Sequence, residues 1–259
     1  KALPRVNISW IIANSTILMK NEYYTFNTAG ISNKLLVGDV NYMQAKKIDF
    51  TASTQITKNK IKILNSKFNV ENIIFNVTGD ILKTNTIDLQ IDATNQDLNQ
   101  IITHLPYNIK ELCSPFIANG KITFNALLKG LINKADNPFL KANYKIEKGD
   151  FTLKSIPFKL YHLEMSGAIT NGSERNFNST EIIADLFSAK TKNGNINGSF
   201  EVENLNNYFL SSKIKSSWSL TEINQYFQDS PFIGLTGNLY ANSIYEGNIS
   251  FNSSFKKLF

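Results

Sequence analysis

The chain has 259 residues, a net charge of +6 and 42% hydrophobic residues, which at roughly 100–200 residues per domain makes one large domain or two small ones with a sizeable core. Its single cysteine, Cys113, excludes an intrachain disulfide, and no apolar run approaches the ~18 residues of a membrane-crossing helix. The positive charge does not mark a nucleic-acid protein, because lysines such as Lys141 and Lys145 alternate with apolar residues instead of clustering.

From residue 48 onward the dominant signal is strict alternation, the mark of strands whose successive side chains point to opposite faces. Ile48, Phe50, Ala52 and Ile56 alternate with Asp49, Thr51, Ser53 and Gln55. Gly79-Asp80 reads as a turn, and Ile87, Leu89, Ile91 and Ala93 then alternate with Asp88, Gln90 and Asp92. The period breaks at 97–105, which reads as a short helix capped by Asp97 or Asn95 and stopped by Pro106. Ile122, Phe124, Ala126 and Leu128 follow, set against Lys121, Thr123 and Asn125. Leu140, Ala142, Tyr144 and Ile146 come next, against Lys141, Asn143, Lys145 and Glu147. Further turn signals stand at Gly38-Asp39, Lys148-Gly149-Asp150, Asn171-Gly172 and Asn193-Gly194. Tyr208, Leu210 and Ile214 form a last set. A second short helix is expected over 219–227, where Ser219 and Glu222 have capping-box spacing and Trp218 is placed to anchor it to the sheet.

Each set describes a sheet with one apolar and one wet face. That is antiparallel patterning, since parallel strands covered on both faces read as continuous apolar runs. The expected fold is mostly β: a curved, largely antiparallel sheet of a dozen or more strands, open as a groove or closed as a sandwich, with two short helices. A one-sided apolar sheet has to cover that face with something, either a second sheet or a ligand.

The helices also belong to an apparent internal repeat of about 117 residues. The first is followed by Ser114-Pro115-Phe116-Ile117 and Gly120, the second by Ser230-Pro231-Phe232-Ile233 and Gly237. Each glycine then opens an alternating strand that reaches a further glycine ten residues on, Gly130 or Gly247. Before each helix the order also matches, a glycine read as a turn (Gly79 or Gly198) followed by an alternating strand (87–93 or 208–214). The reading is a single elongated β-domain over 1–259, with repeat unit one at about 60–135, a meander at 136–172 and repeat unit two at about 178–250. Starting at Lys1 and ending at Phe259 after a strand-like stretch, the chain reads as part of something longer.

Signatures of catalysis are missing from the sequence. It has no Gly-x-Ser-x-Gly elbow, phosphate loop or dinucleotide fingerprint. One cysteine and two distant histidines, His104 and His162, do not make an ordinary zinc site. His162 and Glu164 would share a strand face, as would Asp88 and Asp92, and both pairs read as a wet strand surface. The expectation is a binding or scaffold protein without cofactor or metal, not an enzyme.

The segment from Asn137 to Gly172 carries a resemblance. It reads Asn-Pro-Phe-Leu-Lys-Ala-Asn-Tyr-Lys-Ile-Glu-Lys-Gly-Asp-Phe, and later Ile-Pro-Phe-Lys-Leu-Tyr-His-Leu-Glu-Met-Ser-Gly. This resembles the AsmA-like proteins of Gram-negative bacteria, whose repeats carry a proline, an alternating strand, a glycine turn, a second proline and a further strand. The helix-then-glycine-strand units at 97–130 and 219–247 are similar to the same family, and the likeness covers most of 48–250. It implies an inner-membrane anchor outside this chain, a periplasmic location, and an apolar β-groove that carries phospholipid or another acyl-chain lipid between membranes. Envelope proteins would be further partners. On that implication the groove is lined by Ile48, Phe50, Ile87, Leu89, Ile91, Ile122, Phe124, Leu140, Tyr144, Ile146, Leu210 and Ile214. The alternative is a structural envelope scaffold or protein-interaction module with these residues in a closed core.

Overall fold

The computed structural model describes residues 7–37, 40–43, 46–105, 110, 113–132, 137–154, 158–226, 234 and 236–249. In chain order the strands are β1 (Asn7–Lys20), β2 (Tyr23–Val37), β3 (Val40–Met43), β4 (Lys46–Ile56), β5 (Lys60–Val70), β6 (Ile73–Leu82) and β7 (Thr86–Asp97). Helix α1 (Leu98–His104) then leads to β8 (Phe116–Leu131), β9 (Phe139–Leu153), β10 (Lys159–Thr170), β11 (Glu181–Lys190), β12 (Asn195–Glu203) and β13 (Phe209–Ser219). Helix α2 (Leu220–Tyr226) precedes β14 (Asn238–Asn248). All pairing is antiparallel and, apart from β2 with β4, between neighbours in the chain, giving one up-and-down sheet that runs from β1 to β14 and does not close into a barrel. The short β3 pairs the far end of β2, beyond the reach of β4. Among the described residues every strand belongs to this one sheet, so the sandwich alternative is not what forms.

Asparagine makes many of the chain reversals, because its side chain tolerates the left-handed backbone region. Asn21, Asn72, Asn85 and Asn204 all have φ between 55 and 72°. Glu71 and Asn72, at φ 50° and 72°, form the two-residue loop joining Val70 to Ile73. Paired positive φ values of this kind match the right-handed twist of the flanking strands.

Three glycine signals read as turns prove to lie inside strands: Gly79 in β6, Gly149 in β9 and Gly198 in β12. The reason is close backbone approach. At Gly79, φ is 126° and a Cβ would stand 2.0 Å from the Asp88 carbonyl oxygen on β7. Gly38-Asp39 lies outside the described residues. The turns at Asn171-Gly172 and Asn193-Gly194 form as expected. The first helix is capped by Asp97, whose carboxylate accepts from the Gln100 amide at 3.0 Å. Pro106 lies outside the described residues.

Bulges interrupt the register between β4 and β5, β7 and β8, and along β8 to β12. A bulge bends its strand and sharpens the twist. The resulting concavity can be read from Phe158, before β10, and Trp218, on β13, whose ring centroids lie 5.9 Å apart. Three strand spacings separate their backbones, about 14 Å in a flat sheet. Ring contact over that span fits a sheet curled toward the face that carries them.

The segments 60–135 and 178–250 share the order strand, strand, strand, helix, strand. Ser230-Pro231-Phe232-Ile233, half of the motif comparison, lies outside the described residues, and the duplication stays a reading of the sequence.

Candidate functional site

Tracing the register across the sheet assembles a single apolar face. From Thr28 the row runs through Phe50 and Phe68 to Phe75. The last three rings stack as a ladder, with centroids 5.4 Å apart at each step. A second row links Val77, Ile91, Ala126, Ala142 and Ile169 to Ile182, Val202 and Leu210. Leu89 faces Leu128, which faces Leu140; Phe124 faces Tyr144; Ile122 faces Ile146; and Ile214 faces Gly198. Ile48 pairs Val70 at the start of the face, and Ile87 pairs Ile81.

All twelve residues predicted from alternation therefore lie on one side of the sheet. Ile48, Ile87 and Ile146 are buried, and the other nine are half-buried. No second sheet covers the three buried ones; Ile146 lies under Leu98 of the first helix. Small hydroxyls at Thr28, Thr54 and Ser66 interrupt the surface, and no acidic side chain stands in any of these rows. Ser66 sits beside a bulge, and its hydroxyl donates to the Val77 carbonyl and accepts from the Val77 amide.

Sequence reasoning missed several members. Phe68, Val70, Phe75 and Val77 alternate cleanly and could have been found. Leu163, Met165, Ala184 and Phe187 could not, because bulges at 161–164 and 184–187 break the period of two. The same bulge places His162 at φ 51° and out of the alternation that would pair it with Glu164.

Both helices sit at one end of the sheet, where β4, β6, β8, β10, β12 and β14 begin. Leu98 of α1 packs with Ala118 and Ile146, and Ile102 joins them. The α1 C-terminus reaches back to β4, where the Lys46 ammonium donates to the His104 carbonyl at 3.1 Å. Burial lowers the pKa of Lys46, and burial followed by the charge of Lys46 lowers that of His104. At the same end Leu160, Leu163 and Ala189 pack with Phe151, Phe158, Met165, Phe187 and Ile196. The result is a trough with one end walled by helix and aromatic side chains.

Tyr144 marks the trough floor. Its ring crosses Gly167, its partner on β10, and its hydroxyl donates to the Ile183 carbonyl on β11 at 2.9 Å. Burial, with a smaller contribution from Asp185, pushes its pKa up to about 12. Trp218 packs on Phe158 and donates its Nε1–H to Ser216 at 2.8 Å, so it closes the curl instead of standing free.

The opposite face carries the charged pairs, with exposed apolar residues such as Ile74, Leu127 and Ile244 among them. Lys129 meets Asp88 at 2.7 Å, Lys60 meets Asp80 at 3.1 Å, and Asn125 donates to Asp92. Asp88 and Asp92 thus serve as surface partners. Among the described residues, no three His, Cys, Asp or Glu side chains come together to hold a metal, and no helix is long and apolar enough to cross a membrane. The chain matches no protein-family model, no curated protein and no solved structure.

Proposed function

We propose that this face is a non-enzymatic binding trough for the acyl chains of phospholipid or a similar lipid. What carries the reading is a concave apolar surface across a single-layer sheet, with no second sheet over it among the described residues. Soluble monomers seldom leave more than a few hundred Å² of contiguous apolar surface uncovered, and larger patches mark a lipid or partner site. Thirteen strands in line span about 58 Å at ~4.8 Å per strand, roughly four times the ~15 Å depth of one bilayer leaflet. The trough is therefore long enough for acyl chains to lie in succession, each buried CH₂ contributing about 0.8 kcal/mol. Such binding needs no catalytic group.

With the AsmA-like resemblance, the reading extends to a periplasmic protein, held at the inner membrane by parts outside this chain and serving lipid supply to the outer membrane. Duplication of a strand-strand-strand-helix-strand unit would lengthen the trough without changing its chemistry. The second reading is an envelope scaffold whose apolar face binds protein.

The test is to produce the chain in a bacterial periplasm, purify it without detergent, and analyse its organic extract by mass spectrometry beside a β-sandwich control. The trough predicts stoichiometric phospholipid, lost in Phe124→Asp while circular dichroism stays β, because Phe124 is half-buried and an aspartate there keeps water contact. A folded wild-type protein without lipid refutes lipid binding and favours the scaffold.

A further inference from the structure

Tyr240, on β14, is 76% exposed and stands on the face opposite the trough. It ends the row Asn195, Ser217, Tyr240, and the adjacent row is Asn197, Lys215, Asn242. These six residues line an open cleft of about 390 Å³, within the ~300–1,000 Å³ range of small-ligand sites.

Some lysines of this face meet carboxylates, as at Lys129–Asp88, Lys60–Asp80 and Lys145–Glu147. Lys215, like Lys67, Lys141 and Lys213, pairs with no carboxylate among the described residues. Nor does any described hydrogen bond occupy the side chains of Asn195, Asn197, Ser217 or Asn242. The wall is also held in place. At Gly194 a Cβ would stand 2.1 Å from the Ser217 carbonyl oxygen, so the turn and β13 touch backbone to backbone. The preceding residues of that turn are clamped by Glu222, whose carboxylate accepts from the Thr191 hydroxyl and from the Lys192 and Asn193 amides.

We propose that this cleft binds an acidic oligosaccharide. A flat phenol ring offers an apolar platform to the C–H face of a pyranose, with a hydroxyl at its rim. Each asparagine presents a donor and an acceptor side by side, matching neighbouring sugar hydroxyls. Lys215 supplies the cation for a uronate carboxylate. Sequence-tolerant nucleic-acid binding needs a run of stacking rings, whereas this cleft is lined by one ring, which suits a short stretch of sugar. The site is on the opposite face from the trough and stands independently of the lipid reading.

The experiment is affinity electrophoresis of the 259-residue chain through gels containing polygalacturonate, neutral dextran, or a single-stranded DNA oligonucleotide. Polygalacturonate is expected to retard the wild type more than dextran does. Tyr240→Ala should weaken that retardation about tenfold with circular dichroism unchanged, and Lys215→Gln should remove the preference for the acidic polymer. Because Tyr240→Ala leaves the net charge intact, it separates this site from nonspecific attraction to a basic protein. No wild-type retardation, retardation indifferent to Tyr240, dextran binding as strong as polygalacturonate binding, or Tyr240-dependent binding of the oligonucleotide alone would each overturn the proposal.

Discussion

Removing the Glu222 carboxylate should unlock the helix end of β11 to β14 while leaving the far strands intact. Glu222 is 1% exposed and holds three donors: the Thr191 hydroxyl at 3.0 Å, the Lys192 amide at 3.0 Å and the Asn193 amide at 2.8 Å. A buried donor left without an acceptor costs about 1–3 kcal/mol. Thr191 is buried, but Lys192 and Asn193 are exposed, so water recovers part of the loss at their amides. The expected cost of Glu222→Ala is about 3 kcal/mol. At an m-value of about 3 kcal/mol per M this lowers the urea midpoint by about 1 M. In Glu222→Gln the Oε1 acceptor survives for Lys192, while an NH₂ group faces Thr191 and Asn193. The threonine hydroxyl can rotate to accept, the Asn193 amide cannot, and the cost falls to about one unmet donor. In a sheet built by adding strands to neighbours, such a loss stays local. Hydrogen exchange should therefore quicken at Lys192, Asn193 and along β11 to β14, with β4 to β7 unchanged. A midpoint shift below about 0.2 M, with unaltered exchange at the two amides, would refute the clamp.

Gly79→Ala should cost more than about 2 kcal/mol in chemical denaturation, because its Cβ meets the Asp88 carbonyl at 2.0 Å in addition to the positive φ. Gly237→Ala, also at positive φ but with nothing within 4 Å, should cost only about 1 kcal/mol. Two residues on one face of β7 should separate core from trough: Ile87→Ala, at a site 2% exposed, should cost about 2–5 kcal/mol. Half-buried Leu89→Ala should cost less than about 1.5 kcal/mol, and its clearer effect should be on lipid retained in the organic extract. Tyr144 has its folded pKa raised from 10.0 to about 12, so above pH 10 the unfolded chain loses this proton first. Its stabilisation is complete below pH 10 and is lost as pH rises toward 12; partial solvent access limits the loss to about 1 kcal/mol. Comparing urea midpoints at pH 9 and pH 11 for wild type and Tyr144→Phe checks this, and equal pH dependence in both would contradict the assignment.

The alternating rows were legible in the sequence because a period of two has one structural meaning: Ile87, Leu89 and Ile91 must share a face if they are a strand at all. So was the existence of both helices, which rests on local chemistry, while the cap offered as Asp97 or Asn95 was settled on Asp97 by the structure. Other features were not local. Gly79, Gly149 and Gly198 looked like turns, and only the approach of a neighbouring backbone shows why a strand interior needs them. Leu163, Met165 and Phe187 joined the trough through bulges, which shift faces without leaving a mark on composition. The carboxylate of Glu222 reaches a turn some 30 residues earlier, and Tyr240 lines one cleft with Asn195 and Asn197 from two strands away. The amino-acid order determined that one face would be apolar, since side-chain alternation is a property of each strand alone. Whether that face closed on a second sheet or stayed open depended on the curl and order of all the strands together, and the tertiary structure decided it.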